Sequence, residues 1–319
     1  LLSTARINRA LIPPLRAATR SELVAVASRD LERAEAYAKR WNIPRAFGSY
    51  EALLADPDID VVYNSLPNSL HAEWTIKAAQ AGKHVLCEKP LAVTLKEVDA
   101  MAAAAEQAGV VVTEAFMYRH HPQTLKVKEL VDGGAIGELR LVRGAFTFNI
   151  EREDDVRLDP ALGGGGIWDV GCYPISFARY IVGSEPRQVF GWQVTGSSGV
   201  DEVFVGQMRF DGNVYAQFDS GFRAPFRAHI ELVGSRGRIE VPRPFKPGLD
   251  ESIALHQGDA VQSIRVAGQE LYLGEVEDLA DAVLNGAAPR MSLKDSRGNV
   301  AAIAALLESA RQGQPVTLS

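Results

Sequence analysis

The chain has 319 residues, 46% of them apolar and 23% charged, an ordinary globular composition with more sequence than one hydrophobic core usually takes, so two domains are expected. A formal net charge of -6 without any Lys/Arg run excludes a nucleic-acid-binding surface, and no apolar stretch is long enough to span a bilayer. The two cysteines, Cys87 and Cys172, form no disulfide framework and fit a reducing cytoplasm; neither they nor the six histidines fall in metal-ligand spacing, so no metal is expected.

The chain begins with Leu1 and passes directly into a turn, so part of a first strand is expected to be missing. Strand-like and helix-like segments then alternate at βαβ spacing up to His120. Residues 7–19 read as a helix interrupted by Pro13-Pro14, and residues 23–27 as a short buried strand. Asp30 is placed to cap a helix over Leu31–Trp41. A strand end follows at 61–65, a helix at 71–81, a strand at 84–87, a helix over Leu95–Ala108 and a strand at 110–112. The short continuous apolar runs are those of parallel strands buried on both faces.

After Arg119 the pattern changes to alternating strands, over Leu139–Asn149, Gln188–Thr195, 201–210, 213–222, 227–233 and 236–241. Asp211-Gly212 and Gly234-Ser235 mark tight hairpins among them, and a helix over 294–312 closes the chain. The expected architecture is an α/β Rossmann domain, a doubly wound parallel sheet, over residues 1–120, followed over 121–319 by an α+β domain with an open, mainly antiparallel sheet.

Two motifs carry chemistry. In Gly82-Lys83-His84-Val85-Leu86-Cys87-Glu88-Lys89-Pro90 a buried strand ends in a charged pair where Pro90 stops the ladder. The carboxyl ends of parallel strands are where ligands bind, and a lysine held there is suited to acid/base work. The second motif is Gly163-Gly164-Gly165-Gly166-Ile167-Trp168-Asp169-Val170-Gly171-Cys172-Tyr173-Pro174. If helical from Ile167, it puts Asp169 and Tyr173 on one face. Its glycine run supports either a close backbone approach or a flexible hinge. Together these motifs resemble the Gfo/Idh/MocA family of nicotinamide-dependent oxidoreductases, over essentially the whole chain. Tyr173, where most of that family has histidine, is similar to the branch with glucose–fructose oxidoreductase, dihydrodiol dehydrogenase and NADP-dependent xylose dehydrogenase.

The resemblance implies a cofactor turn at Ser3-Thr4-Ala5-Arg6-Ile7-Asn8, where all three glycines of the dinucleotide fingerprint are replaced. Small Ser and Ala still let backbone approach a pyrophosphate, and the following helix N-terminus supplies the anion site. Further on, a NAD site wants an acidic residue for the ribose 2′-hydroxyl; Ser28-Arg29 stand there instead and suit a 2′-phosphate, so NADP is expected, with NAD possible as well. The segment Leu66-Pro67-Asn68-Ser69-Leu70-His71 is similar to the one along the nicotinamide half of the cofactor. There Asn68 is the better cofactor contact, and His71 reads equally as a helix-start residue bonded to local backbone. Glu88 and Lys89 complete the cofactor set, and Tyr118 and Arg119 are candidate substrate contacts with Asp169 and Tyr173.

A phenol ordinarily titrates near ~10, too high for an efficient base at neutral pH, and a nearby cation favours its ionised form. Lys89 is the expected source, with Asp169 orienting Tyr173 or the substrate. The resemblance implies hydride transfer between nicotinamide and a sugar or polyol carbon, in the manner of an aldose 1-dehydrogenase. Alternatives are a ketosugar reductase, a dihydrodiol dehydrogenase, and a non-catalytic sensor of sugar or nucleotide on the same fold. A homodimer or higher homo-oligomer is expected, because helices do not cover the second face of the alternating sheet.

Overall fold

The computed structural model describes residues 1–318. The chain divides into two units, residues 1–120 with 270–297, and residues 121–269 with 298–319. Residues 270–297 thus fold with the first unit, a return that a single boundary at 120/121 does not contain.

In the first unit the strands are β1 (Ala25–Ala27), β2 (Arg45–Phe47), β3 (Val61–Asn64), β4 (His84–Glu88) and β5 (Val112–Ala115). Pairing is parallel for β1 with β2 and for β3, β4 and β5 in turn, and Leu2 bridges Ala27 and Asn64. The order is therefore β2-β1-Leu2-β3-β4-β5, the doubly wound arrangement the sequence predicts. The helices are α1 (Asn8–Ala17), α2 (Leu31–Trp41), α3 (Tyr50–Leu54), α4 (His71–Gln80) and α5 (Leu95–Ala108). Asp30 caps α2 by accepting the Arg33 N–H, and Thr94 with Glu97 forms a capping box on α5. Val26, Leu86 and Ala115 from the strands pack with Leu11 and Ile12 of α1. Val276 and Leu279, described below on a late helix, complete that cluster, which explains why residues 270–297 return to this unit.

The second unit is built on a nine-stranded sheet. After α6 (Pro122–Asp132) come β6 (Leu139–Asn149), α7 (Cys172–Val182), β7 (Gln188–Thr195), β8 (Asp201–Arg209), β9 (Tyr215–Gly221), β10 (Arg223–Gly234), β11 (Arg238–Val241), β12 (Asp250–Gln257) and β13 (Ala260–Ala267). Helix α8 (Leu273–Asn285) belongs to the first unit, α9 (Leu293–Gln312) runs through the last boundary, and β14 (Val316–Thr317) ends the described chain. The order is β13-β12-β11-β10-β6-β9-β8-β7-β14, antiparallel except for the parallel β6–β9 pair. One face is buried through Val189, Phe204, Met208, Ala216 and Phe218. The hairpin β12–β13 escapes the sequence reading because β13, an edge strand, is exposed at nearly every position and shows no apolar alternation.

Candidate active site

The turn before α1 keeps the geometry of a glycine fingerprint without its glycines. Ser3 has φ +110, a region that non-glycine residues enter at a cost of ~1–3 kcal/mol. Hydrogen bonds hold it there. The Ser3 hydroxyl accepts the Ala5 N–H at 3.0 Å and shares a hydrogen bond with the Ser65 hydroxyl at 2.9 Å. Fully buried Asn8 donates to the Ser3 carbonyl at 2.8 Å and accepts from Ser65 at 2.7 Å. The substitutions Ser3 and Asn8 thus replace conformational freedom with a polar network. Thr4 accepts from the Arg33 Nε at 2.8 Å, so a cation carried by α2 stands at this turn. Helix α1 has no side-chain cap, in contrast to α2, α3 and α5, which leaves its first N–H groups suited to an anion. Ser28 is buried at the end of β1 and Arg29 is exposed beside it. These residues fit a dinucleotide carrying an additional phosphate.

At the end of β4, Glu88 accepts a short hydrogen bond from the Tyr63 hydroxyl and one from the Lys89 N–H at 3.2 Å. The Lys89–Pro90 bond is cis. Glu275 of α8 is fully buried near Glu88; burial first, and then the Glu88 charge, holds its carboxyl well above the usual range. His71 is also fully buried, with Nδ1 at 2.8 Å from the Pro90 carbonyl and Nε2 at 2.8 Å from the Leu66 carbonyl. Both ring nitrogens lie against backbone carbonyls, and a neutral ring donates to one of them, in line with the alternative of a helix-start residue bonded to local backbone. Burial lowers its pKa. Asn68 opens a short 3-10 turn after the buried Leu66.

Tyr118 is fully buried edge-on to Phe116, and buried Arg119 donates to Asp295 at 2.9 Å. His120 is buried and pushed down to about 3 by burial, with Arg290 and Arg119 adding repulsion. His121 caps α6 by accepting the Gln123 N–H.

In the second unit, the motif around Asp169 starts with a π-helical turn, Ile167–Gly171, that runs into α7. The expected α-helical spacing of Asp169 and Tyr173 is therefore replaced by a π turn, a local irregularity common at functional sites. The glycine run is a close approach and no loose hinge. A Cβ on Gly164 would sit 2.4 Å from the Arg157 carbonyl oxygen. Hydrogen bonds close a ring through this segment: Gly165 N–H to the Arg157 carbonyl (2.9 Å), Asp169 N–H to the Gly165 carbonyl (3.0 Å), and Arg157 Nε to the Asp169 carboxylate (2.8 Å). Arg157 also donates to Asp155, and its pKa is raised by Asp169 first. Tyr173 is buried between Phe146, at 5.2 Å edge-on, and Phe245, at 5.3 Å.

Of the predicted residues, Ser3, Thr4, Ala5, Arg6 and Ile7 share one turn, Glu88 and Lys89 one strand end, and Asp169 and Tyr173 one helical segment. Sequence reasoning gave Arg157, Ser65 and Arg33 no place in the site, and named Asn8 only as the last residue of the cofactor turn. Arg157 follows the mostly acidic stretch 151–155 with no spacing to mark it; Asn8 carries the one available signal, an amide at the third glycine position of the fingerprint. Among the described residues no group of three His, Cys, Asp or Glu side chains is arranged for a metal, and no helix is long and apolar enough to cross a membrane.

Comparison with known proteins shows the family. Residues 4–116 match the oxidoreductase family with NAD-binding Rossmann fold, and residues 124–240 the GFO/IDH/MocA C-terminal domain. The chain is 39% identical over 321 residues to D-xylose 1-dehydrogenase (NADP(+)) 2 of Haloferax volcanii, covering 100% of this chain and 98% of that protein. A crystal structure of a 3-ketoreductase from Actinomadura kijaniata in complex with NADP and TDP-benzene superposes with a TM-score of 0.92 at 31% identity, covering 97% of this chain and 96% of that one. An aldose-aldose oxidoreductase from Caulobacter crescentus complexed with glycerol gives 0.93 at 29% identity, covering 100% and 98%. The chain belongs to the GFO/IDH/MocA family of oxidoreductases.

Proposed function

We propose that this enzyme is an NADP(H)-dependent oxidoreductase acting on a sugar or polyol carbon, and that its reaction is that of an aldose 1-dehydrogenase. The observation that carries the reading is Tyr173, held one turn beyond an Asp169 that Arg157 clamps in place. The backbone of the Ser3–Ile7 turn and the N-terminus of α1 hold the pyrophosphate, Arg29 with Arg33 the 2′-phosphate, and Asn68 with Glu88 the nicotinamide half. When bound, the nicotinamide supplies the hydride acceptor. Tyr173 takes the proton from the substrate hydroxyl, and Lys89 favours the phenolate and balances the developing alkoxide. Asp169 orients the hydroxyl. In reverse, the same residues reduce a ketosugar, a second reading that the likeness to a 3-ketoreductase favours. A dihydrodiol is the third substrate class, in line with a 34% identical trans-1,2-dihydrobenzene-1,2-diol dehydrogenase of Xenopus tropicalis. A cytoplasmic setting suits the two buried cysteines, which form no disulfide. Screening aldoses, ketosugars and diols with both cofactors separates the three readings.

Cofactor choice is tested by Arg29→Ala. It should weaken NADP(H) binding by ~1.5–3 kcal/mol, the worth of a charged hydrogen bond, and leave NAD(H) nearly unchanged. Fluorescence titration of both cofactors decides; equal losses, or a wild-type preference for NAD, would sink this assignment.

The exposed face of the second unit's sheet carries Trp192 and Val194 on β7, Val205 on β8 and Tyr215 on β9, with Trp192 directly opposite Val205. An apolar cluster of this kind on a sheet face suits a second copy of the chain, and a two-fold homodimer is proposed. Trp192→Glu should convert a particle of twice the chain mass into one of single mass in light scattering. A wild type that runs as a monomer at micromolar concentration rules the dimer out.

A further inference from the structure

Asp201 opens β8, and its side chain points into the glycine run before Asp169. Its carboxylate accepts the Ile167 N–H at 2.7 Å, and the backbone of Gly166 lies beside it. Glycine at 165 and 166 makes this contact possible: a Cβ on Gly165 would lie 2.5 Å from Asp201 Oδ1, and one on Gly166 would lie 3.1 Å from Oδ2. Asp201 is buried, and its surroundings supply no counter-charge. Glu202 on the same strand pairs with Arg223, Asp219 on β9 with Arg227, and Arg157 with Asp155 and Asp169. Asp159 accepts the Ala161 N–H, and β7 has no titratable side chain. A buried carboxylate without a cation is a poor way to stabilise a fold. Here it lies where the N–H groups of the π turn emerge, which favours negative charge.

We propose that Asp201 is a positioning residue, whose ionised carboxylate anchors Gly166 and Ile167 and so sets the place of Asp169 and Tyr173. This rests on the reading above that Tyr173 moves the proton. The Gly165 carbonyl that receives the Asp169 N–H lies one residue before Gly166, so slack at the anchor is transmitted to Asp169 through two backbone bonds. Charge-assisted bonds are about twice as strong as neutral ones, so the grip loosens when Asp201 is protonated. Burial pushes the carboxyl up to about 7, so this loosening falls near neutral pH.

The test is Asp201→Asn, which keeps the shape and an acceptor oxygen but removes the charge. In the reductive direction Tyr173 donates its proton and limits activity on the basic side, so an acid-side loss centred near pH 7 belongs to Asp201. The variant should lose about tenfold or more in kcat at pH 8, the scale of a slightly misplaced reacting group. It should also lose the acid-side limb and keep the basic one. Stability supplies the contrast. A carboxyl whose pKa is raised on folding binds its proton more tightly when folded, so wild-type stability falls as pH rises from about 4 to 7. Asp201→Asn should therefore melt no lower than wild type at pH 8. Deuterium uptake over residues 163–171 at pH 8 should be faster in the variant, a readout that needs no substrate. Unchanged kcat and limb, unchanged uptake, or a lower melting temperature with the limb retained each overturn the proposal. Wild-type inactivity on every sugar and diol, with the uptake difference present, would instead count against the proposed function alone.

Discussion

Tyr173→Phe should lower kcat by ~10²–10⁴-fold on the best substrate, the usual contribution of a positioned acid/base. The ring lies against Phe146 and Phe245, and phenylalanine preserves both contacts, so the melting temperature should barely change. Lys89→Met, which removes the cation and keeps a chain of similar length, should cost a similar factor. The double variant should be little worse than either single one, because groups that act as one unit are not additive. A purely structural Tyr173 predicts the opposite pattern, a lower melting temperature with turnover intact. Steady-state kinetics and thermal melts on the same three preparations distinguish the two.

Arg157→Ala should lower kcat by ~10²-fold while leaving NADP(H) affinity as it is. The guanidinium spans Asp155 and Asp169, and its backbone carbonyl receives Gly165, so it closes the ring that holds Asp169. Loss of the 2.8 Å bond frees the carboxylate to turn away from the reacting hydroxyl, and displacement of about 1 Å is enough for a loss of that size. Arg157→Lys keeps the charge but cannot fork across two carboxylates, so it should be intermediate. The loss belongs in kcat more than in KM, since the pair orients and contributes little to affinity. A variant with wild-type kcat and a raised KM would make Arg157 a substrate-binding residue instead.

Local patterns carried part of the first unit. Asp30 caps the helix it precedes, and the strands expected at 61–65 and 84–87 stand as adjacent parallel strands, but β2 and α3 went unread and the strand expected at 110–112 stands at Val112–Ala115. What escaped is set by tertiary contact. The return of α8 depends on Val276 and Leu279 meeting strands more than 150 residues earlier, and helical periodicity does not say which core a helix joins. The candidate site divides in the same way. The residues proposed for its chemistry, Lys89, Asp169 and Tyr173, stand in recognisable motifs. Arg157 and Asp201, which bond Asp169 and the turn that carries it, sit 12 residues before and 32 residues after Asp169, and these contacts exist only once the glycine run has packed against them. His71 shows the converse: polar and well placed in a motif, it lies buried with its ring against backbone carbonyls.

The most direct measurement is absorbance at the nicotinamide band as the purified enzyme is offered a panel of aldoses with NADP⁺ or NAD⁺, beside its Tyr173→Phe variant. The account predicts reduction of NADP⁺ in preference to NAD⁺ with at least one aldose, lost in the variant while the cofactor still binds. A Tyr173→Phe enzyme that turns over that aldose at the wild-type rate would contradict it.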